Sequence, residues 1–322
     1  MQTSAREQPL LGPQRALAVD IPPERGDSQV FFLSLEDRSV AVWKPLGGVS
    51  QDIAAFYSHT PQDVMVNEVA AWQLAKRLGP PFTDLVPVAV WRELPGVRDL
   101  LVDANPHGYP QAAEIYNADY DRGVLIQYVP GRPVLEPFTA EYVAQANTAA
   151  LFDSLIGQQD RHLTNFRWDA SASQLHLIDN GFAFPPADAR TNESVFLKWR
   201  QVNHTPSVNE NLSAPERGSL LTLQSSGALD AIAGLLREDR GACLLDRCQT
   251  VLATGRLLAS GEFGQARATP SQQSVSPQAR QAVDLARIAS PRPAREGLAQ
   301  PPTPAQRNTT SRPDDPQRRL RP

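Results

Sequence analysis

The segment 155–185, LIGQQDRHLTNFRWDASASQLHLIDNGFAFP, constrains the fold of this chain more than any other stretch. It follows a run of helical periodicity and contains two short strands, 163–167 and 175–178, on either side of the polar turn DASASQ. If this hairpin folds tightly, polar residues that follow the helix converge with the acid that follows the second strand. The converging side chains are two acids and an amide: Asp160, Asn165 and Asp179.

Two acids and one amide in this arrangement are suited to a site for a divalent cation. Hard cations such as Mg²⁺ prefer oxygen ligands, and a carboxylate with a carboxamide oxygen supplies them without excess charge. Asn165 and Asp179 are therefore the candidate metal ligands, and Asp160 is left to accept a proton from an incoming hydroxyl. Phosphoryl transfer uses this division of roles, because its catalysis consists mainly of positioning and charge neutralisation.

A hairpin and a long helix precede this segment. Residues 29–34 and 39–43 are β-rich runs around a short polar turn, which indicates a hairpin whose second strand ends at Lys44. The helix is expected between Thr60, which suits an N-cap, and Gly79, which stops a helix.

Glu68 lies on the apolar face of that helix. Val64 and Trp72, four residues to either side, share the face with it. Burying an unpaired carboxylate is costly, so Glu68 either has a buried partner or reaches water at the edge of the face.

Strands and helices are unevenly distributed along the rest of the chain. Residues 85–91 and 123–129 indicate strands, whereas 94–120 is polar and poorly patterned, as in an insertion or long loop. Helical periodicity follows at three segments: 139–157, 220–236 and 240–259. The order predicts an α+β chain, with a β-rich section that holds one helix and then a mostly helical section.

The motifs DRHLTN at 160–165 and LIDNGFAFP at 177–185 resemble the catalytic and metal-binding loops of the phosphatidylinositol 3-/4-kinase-like family. Type II phosphatidylinositol 4-kinases and their bacterial relatives have the closest pattern. The resemblance implies an atypical protein-kinase-like fold with two lobes that binds ATP and Mg²⁺. It also implies that Asp160 is the catalytic aspartate, that Asn165 is a metal ligand, and that Asp179 corresponds to the aspartate of the kinase DFG motif.

Earlier segments resemble the same family. Val-Trp-Lys-Pro is similar to the strand whose lysine contacts ATP phosphates, which implies that role for Lys44, and Glu68 resembles the helix-C glutamate that pairs with it. Gly26-Asp27-Ser28 stands where a phosphate-covering loop is expected, so Ser28 is a candidate nucleotide contact. The hinge that reads adenine is expected at three residues: Gln127, Tyr128 and Val129.

The resemblance and the composition together divide the chain into four parts. These are a loose leader at 1–25, a kinase-like N-lobe at 26–129, a C-lobe at 130–262 and a disordered tail at 263–322. The tail is rich in Pro, Gln, Ser and Arg and poor in aromatic residues, so burial cannot offset its ordering entropy.

Charge and hydropathy argue against several classes of protein. From residue 265 onward the chain carries a formal charge of +6, which leaves −10 for the residues before it because the total is −4. An acidic body of this kind argues against nucleic-acid binding. With no apolar run long enough to cross a bilayer and no signal-peptide pattern, a cytoplasmic protein is expected. Delivery elsewhere as an effector stays open, and the sequence does not define an oligomeric state.

The acceptor of the phosphate is left open by the sequence. The resemblance implies a phosphoinositide, and a protein hydroxyl is the alternative, since one fold hosts several functions. Cations and an aromatic residue after the metal-binding motif either contact an acidic head group at a membrane surface or are ordinary surface groups. They are Arg190, Lys198, Trp199 and Arg200.

Two further functions compete with an active kinase. The second hypothesis, suggested by the sparse glycine content before the first strand, is a nucleotide-binding pseudokinase that acts as an interaction scaffold. The complete set of Lys44, Asp160, Asn165 and Asp179 argues against it. The third hypothesis is a kinase-like fold that transfers AMP from ATP instead of phosphate.

Overall fold

The computed structural model describes residues 4–22, 28–105, 108, 110–133, 139–189, 194–203 and 212–259. All of them lie within one compact unit, Met1–Gln272. The predicted tail at 263–322 and the first two residues of the predicted phosphate loop, 26 and 27, lie outside the described residues.

Among the described residues, five antiparallel strands form the sheet of the first lobe. They are β1 (Ala16–Asp20), β2 (Phe31–Leu35), β3 (Val40–Pro45), β4 (Ala89–Glu93) and β5 (Arg122–Gln127). Their order across the sheet is β1-β2-β3-β5-β4. The predicted hairpin is confirmed as β2–β3, and the predicted strand at 123–129 is β5.

Strand register decides which side chains face the second lobe. Val42 pairs with Phe32 on one side and Ile126 on the other, and Lys44 pairs with Val124. Because side chains alternate along a strand, all five of these residues lie on the same face of the sheet.

Six helices accompany the sheet in the described part of this lobe. They are α1 (Gln8–Leu11), α2 (Gln51–Phe56), α3 (Pro61–Leu78), α4 (Phe82–Leu85), α5 (Val97–Ala104) and α6 (Ala112–Asn117). The predicted long helix is confirmed as α3. Its Thr60 hydroxyl accepts from the Asp63 N–H, the Asp63 carboxylate accepts from the Thr60 N–H, and Gly79 ends the helix with φ 75°.

The structure differs from the prediction of a loose leader over 1–25. Residues Ala16–Asp20 form an edge strand, and the buried Glu7 carboxylate accepts hydrogen bonds from Trp72 Nε1 and Lys76 Nζ, each at 2.7 Å. Burial raises the pKa of Glu7, but the hydrogen bonds, led by that from Lys76, outweigh it and lower the pKa to about 2. One buried acid thus fastens the N-terminal segment to α3, which composition alone does not reveal.

Two boundaries in this lobe were also predicted wrongly. The segment 94–120 is not a long loop, because it contains α5 and α6. It packs on the sheet through Trp43, whose Nε1 donates to the Tyr120 carbonyl at 3.1 Å. These helices are too short, at eight and six residues, for their periodicity to stand out. The strand predicted at 85–91 begins later, at Ala89, after the short helix α4.

The second lobe is mostly helical, as predicted. Its described elements are α7 (Ala140–Ile156), β6 (Phe166–Asp169), β7 (Gln174–Leu177), α8 (Val195–Asn203), α9 (Ala214–Ser225), α10 (Ala228–Ala233) and α11 (Glu238–Thr254). The single helix predicted at 220–236 is divided into α9 and α10, because Gly227 adopts the left-handed conformation with φ 68°. None of the described helices is both long and apolar enough to span a membrane.

Candidate active site

A buried lysine joins the two lobes. Lys44 Nζ lies 2.7 Å from Glu68 Oε1 and 2.6 Å from Asp179 Oδ1. The lysine and the glutamate are each 2% exposed, whereas the Asp179 side chain is 31% exposed. The acid on the apolar face of α3 therefore has a buried partner, as one of the two sequence interpretations required, and the aspartate keeps one side towards solvent.

The charges in this cluster stabilise one another. Burial favours the neutral form of Lys44, but the neighbouring carboxylates of Asp179 and Glu68 outweigh that effect and raise the pKa of Lys44 above its usual range. For Asp179, burial is outweighed by the Lys44 ammonium and then by Arg161, so its pKa is lowered. Lys44 and Asp179 are therefore both charged at neutral pH.

Several contacts hold Asp179 and α3 in place. Asp179 has φ 56°, a left-handed conformation that aspartate tolerates better than most residues. Gln158 Nε2 donates to its carbonyl at 3.2 Å, and the next N–H, of Asn180, donates to Glu68 Oε2 at 3.0 Å. Asn67 Nδ2 on α3 donates to the Gly181 carbonyl at 2.8 Å. The segment after β7 is thus bonded directly to the helix that carries Glu68.

The register of the second hairpin brings Asn165 next to this segment. Phe166 of β6 pairs with Leu177 of β7, and the Ile178 N–H donates to the Asn165 carbonyl at 3.2 Å. Asn165 and Asp179 therefore flank the open end of one hairpin, as the sequence predicted, although β6 begins three residues later than expected.

The loop that carries Asp160 lies between α7 and this hairpin. Asn165 Nδ2 donates to Asp160 Oδ2 at 3.2 Å and to its carbonyl at 2.7 Å. Arg161 is buried beneath the loop, where it bonds Asp153 Oδ1 at 3.1 Å and Asn180 Oδ1 at 2.6 Å. Arg161 therefore holds the loop against the DNG segment, which is Asp179-Asn180-Gly181. The Asp160 side chain stays partly exposed at 15%.

The oxygen atoms of Asn165 and Asp179 suit a hard cation such as Mg²⁺. The Asn165 amide uses its nitrogen in the contacts with Asp160, and within the described residues its Oδ1 accepts no hydrogen bond. Asp179 gives Oδ1 to Lys44, and no described group donates to its Oδ2. An amide oxygen and a carboxylate oxygen at the end of the same hairpin are the ligand types that Mg²⁺ takes.

The sheet supplies an apolar roof beside Lys44. Phe32 and Val42 are partly exposed on the same face as Lys44, and Ile126 borders them. Sequence reasoning missed these three residues, although the period-2 alternation around Lys44 was the signal that would have found them.

The predicted hinge residues lie at the edge of this roof. Tyr128 is exposed and meets the Phe32 ring edge-on at 5.8 Å. The Gln127 N–H donates to the Val88 carbonyl at 2.8 Å, so this N–H is already used within the protein and is not available to a ligand. Tyr128 and Val129 are the two residues that follow β5. Ser28 pairs with Val49, and its buried hydroxyl has no hydrogen-bond partner among the described residues.

The cations after the DNG segment are placed differently from one another. Arg200 is 7% exposed, donates to the Asn147 carbonyl at 3.1 Å and lies 3.7 Å from Glu216, so it does not face a head group. Lys198 is exposed and Trp199 is partly exposed. Arg190 lies outside the described residues.

The sequence matches no family model and no curated protein. Among solved structures, the chain is similar to the Golgi casein kinase with Mn and ADP bound, at 15% identity and a TM-score of 0.48, over 80% of this chain and 75% of that chain. A second structure of the Golgi casein kinase has 15% identity and a TM-score of 0.48, over 84% of this chain and 78% of that chain. The Helicobacter pylori proinflammatory kinase CtkA has 11% identity and a TM-score of 0.38, over 77% of this chain and 96% of that chain.

Membership of the phosphatidylinositol 3-/4-kinase-like family stays a prediction. The functional assignment rests on the geometry of the site in this chain.

Proposed function

We propose that this chain is an ATP- and Mg²⁺-dependent phosphotransferase that moves the γ-phosphate of ATP to a hydroxyl group. The bridge from Lys44 to Glu68 and Asp179, with Asp160 and Asn165 on the adjoining loop, is the observation that carries the proposal. Phosphoryl transfer needs a cation on the phosphates, oxygen ligands for a metal and an aspartate for the acceptor. These five side chains supply all three.

The nucleotide would lie under the sheet. Its adenine fits against the apolar roof of Phe32 and Val42, with the backbone of Tyr128 and Val129 at the edge. Lys44, fixed by Glu68, would direct its ammonium to the phosphates. The buried Ser28 hydroxyl, which has no partner within the described part of the chain, is a further candidate phosphate contact.

Asn165 Oδ1 and Asp179 Oδ2 would hold Mg²⁺. When bound, the ion neutralises charge that develops on the transferring phosphoryl group. Asp160 would orient the acceptor hydroxyl and receive its proton, and its bond from Asn165 Nδ2 keeps the carboxylate turned towards the metal ligands.

The acceptor is a hydroxyl of a phosphoinositide or of a protein. Of the cations that could contact an acidic head group, Arg200 is buried against Asn147 and Glu216 and so does not support a lipid acceptor. Phosphoinositide vesicles and a whole protein extract, offered in separate tubes, assign the class by which of them becomes labelled.

Asp179→Ala tests the proposal. The variant loses a metal ligand while Lys44 keeps Glu68 as its partner, so transfer should fall by about 10²-fold or more with the fold retained. Label from γ-labelled ATP measures transfer, and circular dichroism measures folding. Asp169→Ala, at the turn end of the same hairpin, is the matched control and should transfer normally.

Two results would contradict the proposal. Normal turnover by Asp179→Ala would remove the metal assignment. Release of pyrophosphate instead of ADP by the native chain would show transfer of AMP.

A further inference from the structure

A tyrosine from the first lobe contacts the proposed catalytic aspartate. Tyr57 follows α2, and its hydroxyl donates to Asp160 Oδ1 at 2.8 Å. Its ring stacks on Phe182, with centroids 4.4 Å apart and planes inclined by 29°. Phe182 is buried and follows Gly181 directly. The phenol therefore lies between the catalytic loop and the DNG segment.

The backbone holds this tyrosine firmly. Ser50 caps α2 by accepting from the Ile53 N–H, and the residue after Tyr57, Ser58, has the left-handed φ of 63°. The Ser58 carbonyl accepts a hydrogen bond from the buried Arg240 of α11. His59 is buried and contacts Gln159 at 3.2 Å. Contacts on both sides of Tyr57 thus determine where its hydroxyl lies.

The two oxygens of Asp160 have different partners. Oδ2 accepts from the candidate metal ligand Asn165 at 3.2 Å, and Oδ1 accepts from Tyr57. The Tyr57 hydroxyl and the metal ligand Asn165 thus bond the two oxygens of the same carboxylate. An acceptor hydroxyl must take this position, bonded to the catalytic aspartate and close to the metal.

We propose that Tyr57 is itself a phosphate acceptor and is modified by ATP bound in the same molecule. The inference rests on the proposed function. The Tyr57 proton passes to Asp160 Oδ1 as the phenolic oxygen forms a bond to the γ-phosphorus of ATP. The bond between that phosphorus and the β–γ bridging oxygen breaks, and its electron pair leaves with ADP.

Transfer within one molecule has a kinetic signature. Each chain carries one Tyr57, already positioned against its own Asp160, so labelling should stop at one phosphate per chain at this site. The first-order rate constant should not change with the concentration of the chain. A new phosphate brings a charge of about −1.5 to −2 next to Asp160, so repulsion is expected to release the modified side chain.

The test uses the full chain with γ-labelled ATP and Mg²⁺ and no other acceptor. Mass spectrometry of the peptide that contains Tyr57 should find a phosphate in the native chain and none in Asp160→Asn. Tyr57→Phe should lose this label. Tyr116→Phe is the matched control, because Tyr116 also donates to an aspartate, Asp99, at 3.2 Å, and it should keep the label on Tyr57.

A mixing experiment separates transfer within one molecule from transfer between molecules. An Asp179→Ala chain of distinct mass, which keeps the Tyr57–Asp160 contact, is incubated with the active chain. Its Tyr57 should remain unmodified, and a phosphate there would overturn the inference. Both chains in this experiment keep Tyr57, and the phosphate is measured on the peptide that contains it. A folding defect in Tyr57→Phe therefore does not affect the result.

The remaining outcomes distinguish this inference from the proposed function. If the native chain labels a lipid or a protein extract while Tyr57 stays unmodified, the inference is wrong and the kinase assignment stands. If nothing is labelled in any tube, the proposed function fails and the inference fails with it.

Discussion

Replacing Glu68 by Gln tests the buried ion cluster with almost no change in shape. Glu68 gives one oxygen to Lys44 Nζ at 2.7 Å and the other to the Asn180 N–H at 3.0 Å. A glutamine has one acceptor oxygen, so its NH₂ group must face one of these two donors. Losing one partner of a buried pair costs about 3–5 kcal/mol. Because Asp179 still neutralises Lys44, we expect the lower end, about 3 kcal/mol, which lowers the Tm by roughly 6–12 °C.

Urea unfolding followed by tryptophan fluorescence measures this loss, since Trp43 and Trp72 are buried. Transfer activity should also fall by about 10²-fold, because Lys44 is no longer held towards the phosphates. Glu36→Gln is the matched control: Glu36 pairs with Arg15 at 3.0 Å on the surface, and its loss should cost about 0.5 kcal/mol or less. If Glu68→Gln shifts the urea midpoint no more than this control does, the cluster does not stabilise the fold as argued.

Two further changes test other parts of the structure. Burial and the Arg240 guanidinium lower the pKa of His59 from 6.5 to about 4, so the folded protein binds this proton less readily than the unfolded chain. The unfolding free energy is therefore unaffected by His59 above pH 6.5 and falls by about 3 kcal/mol as the pH drops to 4. Urea titrations across that range should show a smaller fall in stability for His59→Gln than for the native chain. An equal fall in both would show that His59 is not its cause. In Gly181→Ala the new Cβ would lie 2.5 Å from Val64 Cγ1, so we expect a loss of about 1–3 kcal/mol and weaker nucleotide binding, measured calorimetrically. Gly218→Ala, with open space around it, should lose neither, and Gly181→Ala behaving like it would contradict the packing argument.

The sequence predicted the parts of the site that depend on local spacing. The predicted hairpin brought Asn165 and Asp179 together because antiparallel register follows from strand and turn lengths. Glu68 was singled out because an acid on an apolar helix face needs a partner, and that partner is Lys44. The caps of α3 could also be predicted, because each cap involves residues that are close together in the sequence.

Contacts between residues far apart in the chain could not be predicted from the sequence. Tyr57 meets Asp160 across 103 positions, and Glu7 reaches Lys76 across 69. Neither has a local pattern that marks it, because the approach is set by how whole elements pack. The roof residue Phe32 is intermediate: its face follows from alternation once the role of Lys44 is assumed.

Transfer of the γ-phosphate of ATP by the native chain, compared with Asp160→Asn, tests the central claim most directly. The asparagine keeps an oxygen for the Tyr57 hydroxyl but cannot receive the acceptor proton. We predict that labelling of the acceptor, with equal release of ADP, falls by at least about 10²-fold in the variant while MgATP still binds. Equal transfer by the variant, or binding of MgATP by the native chain with no transfer to lipid, protein or its own Tyr57, would contradict the account.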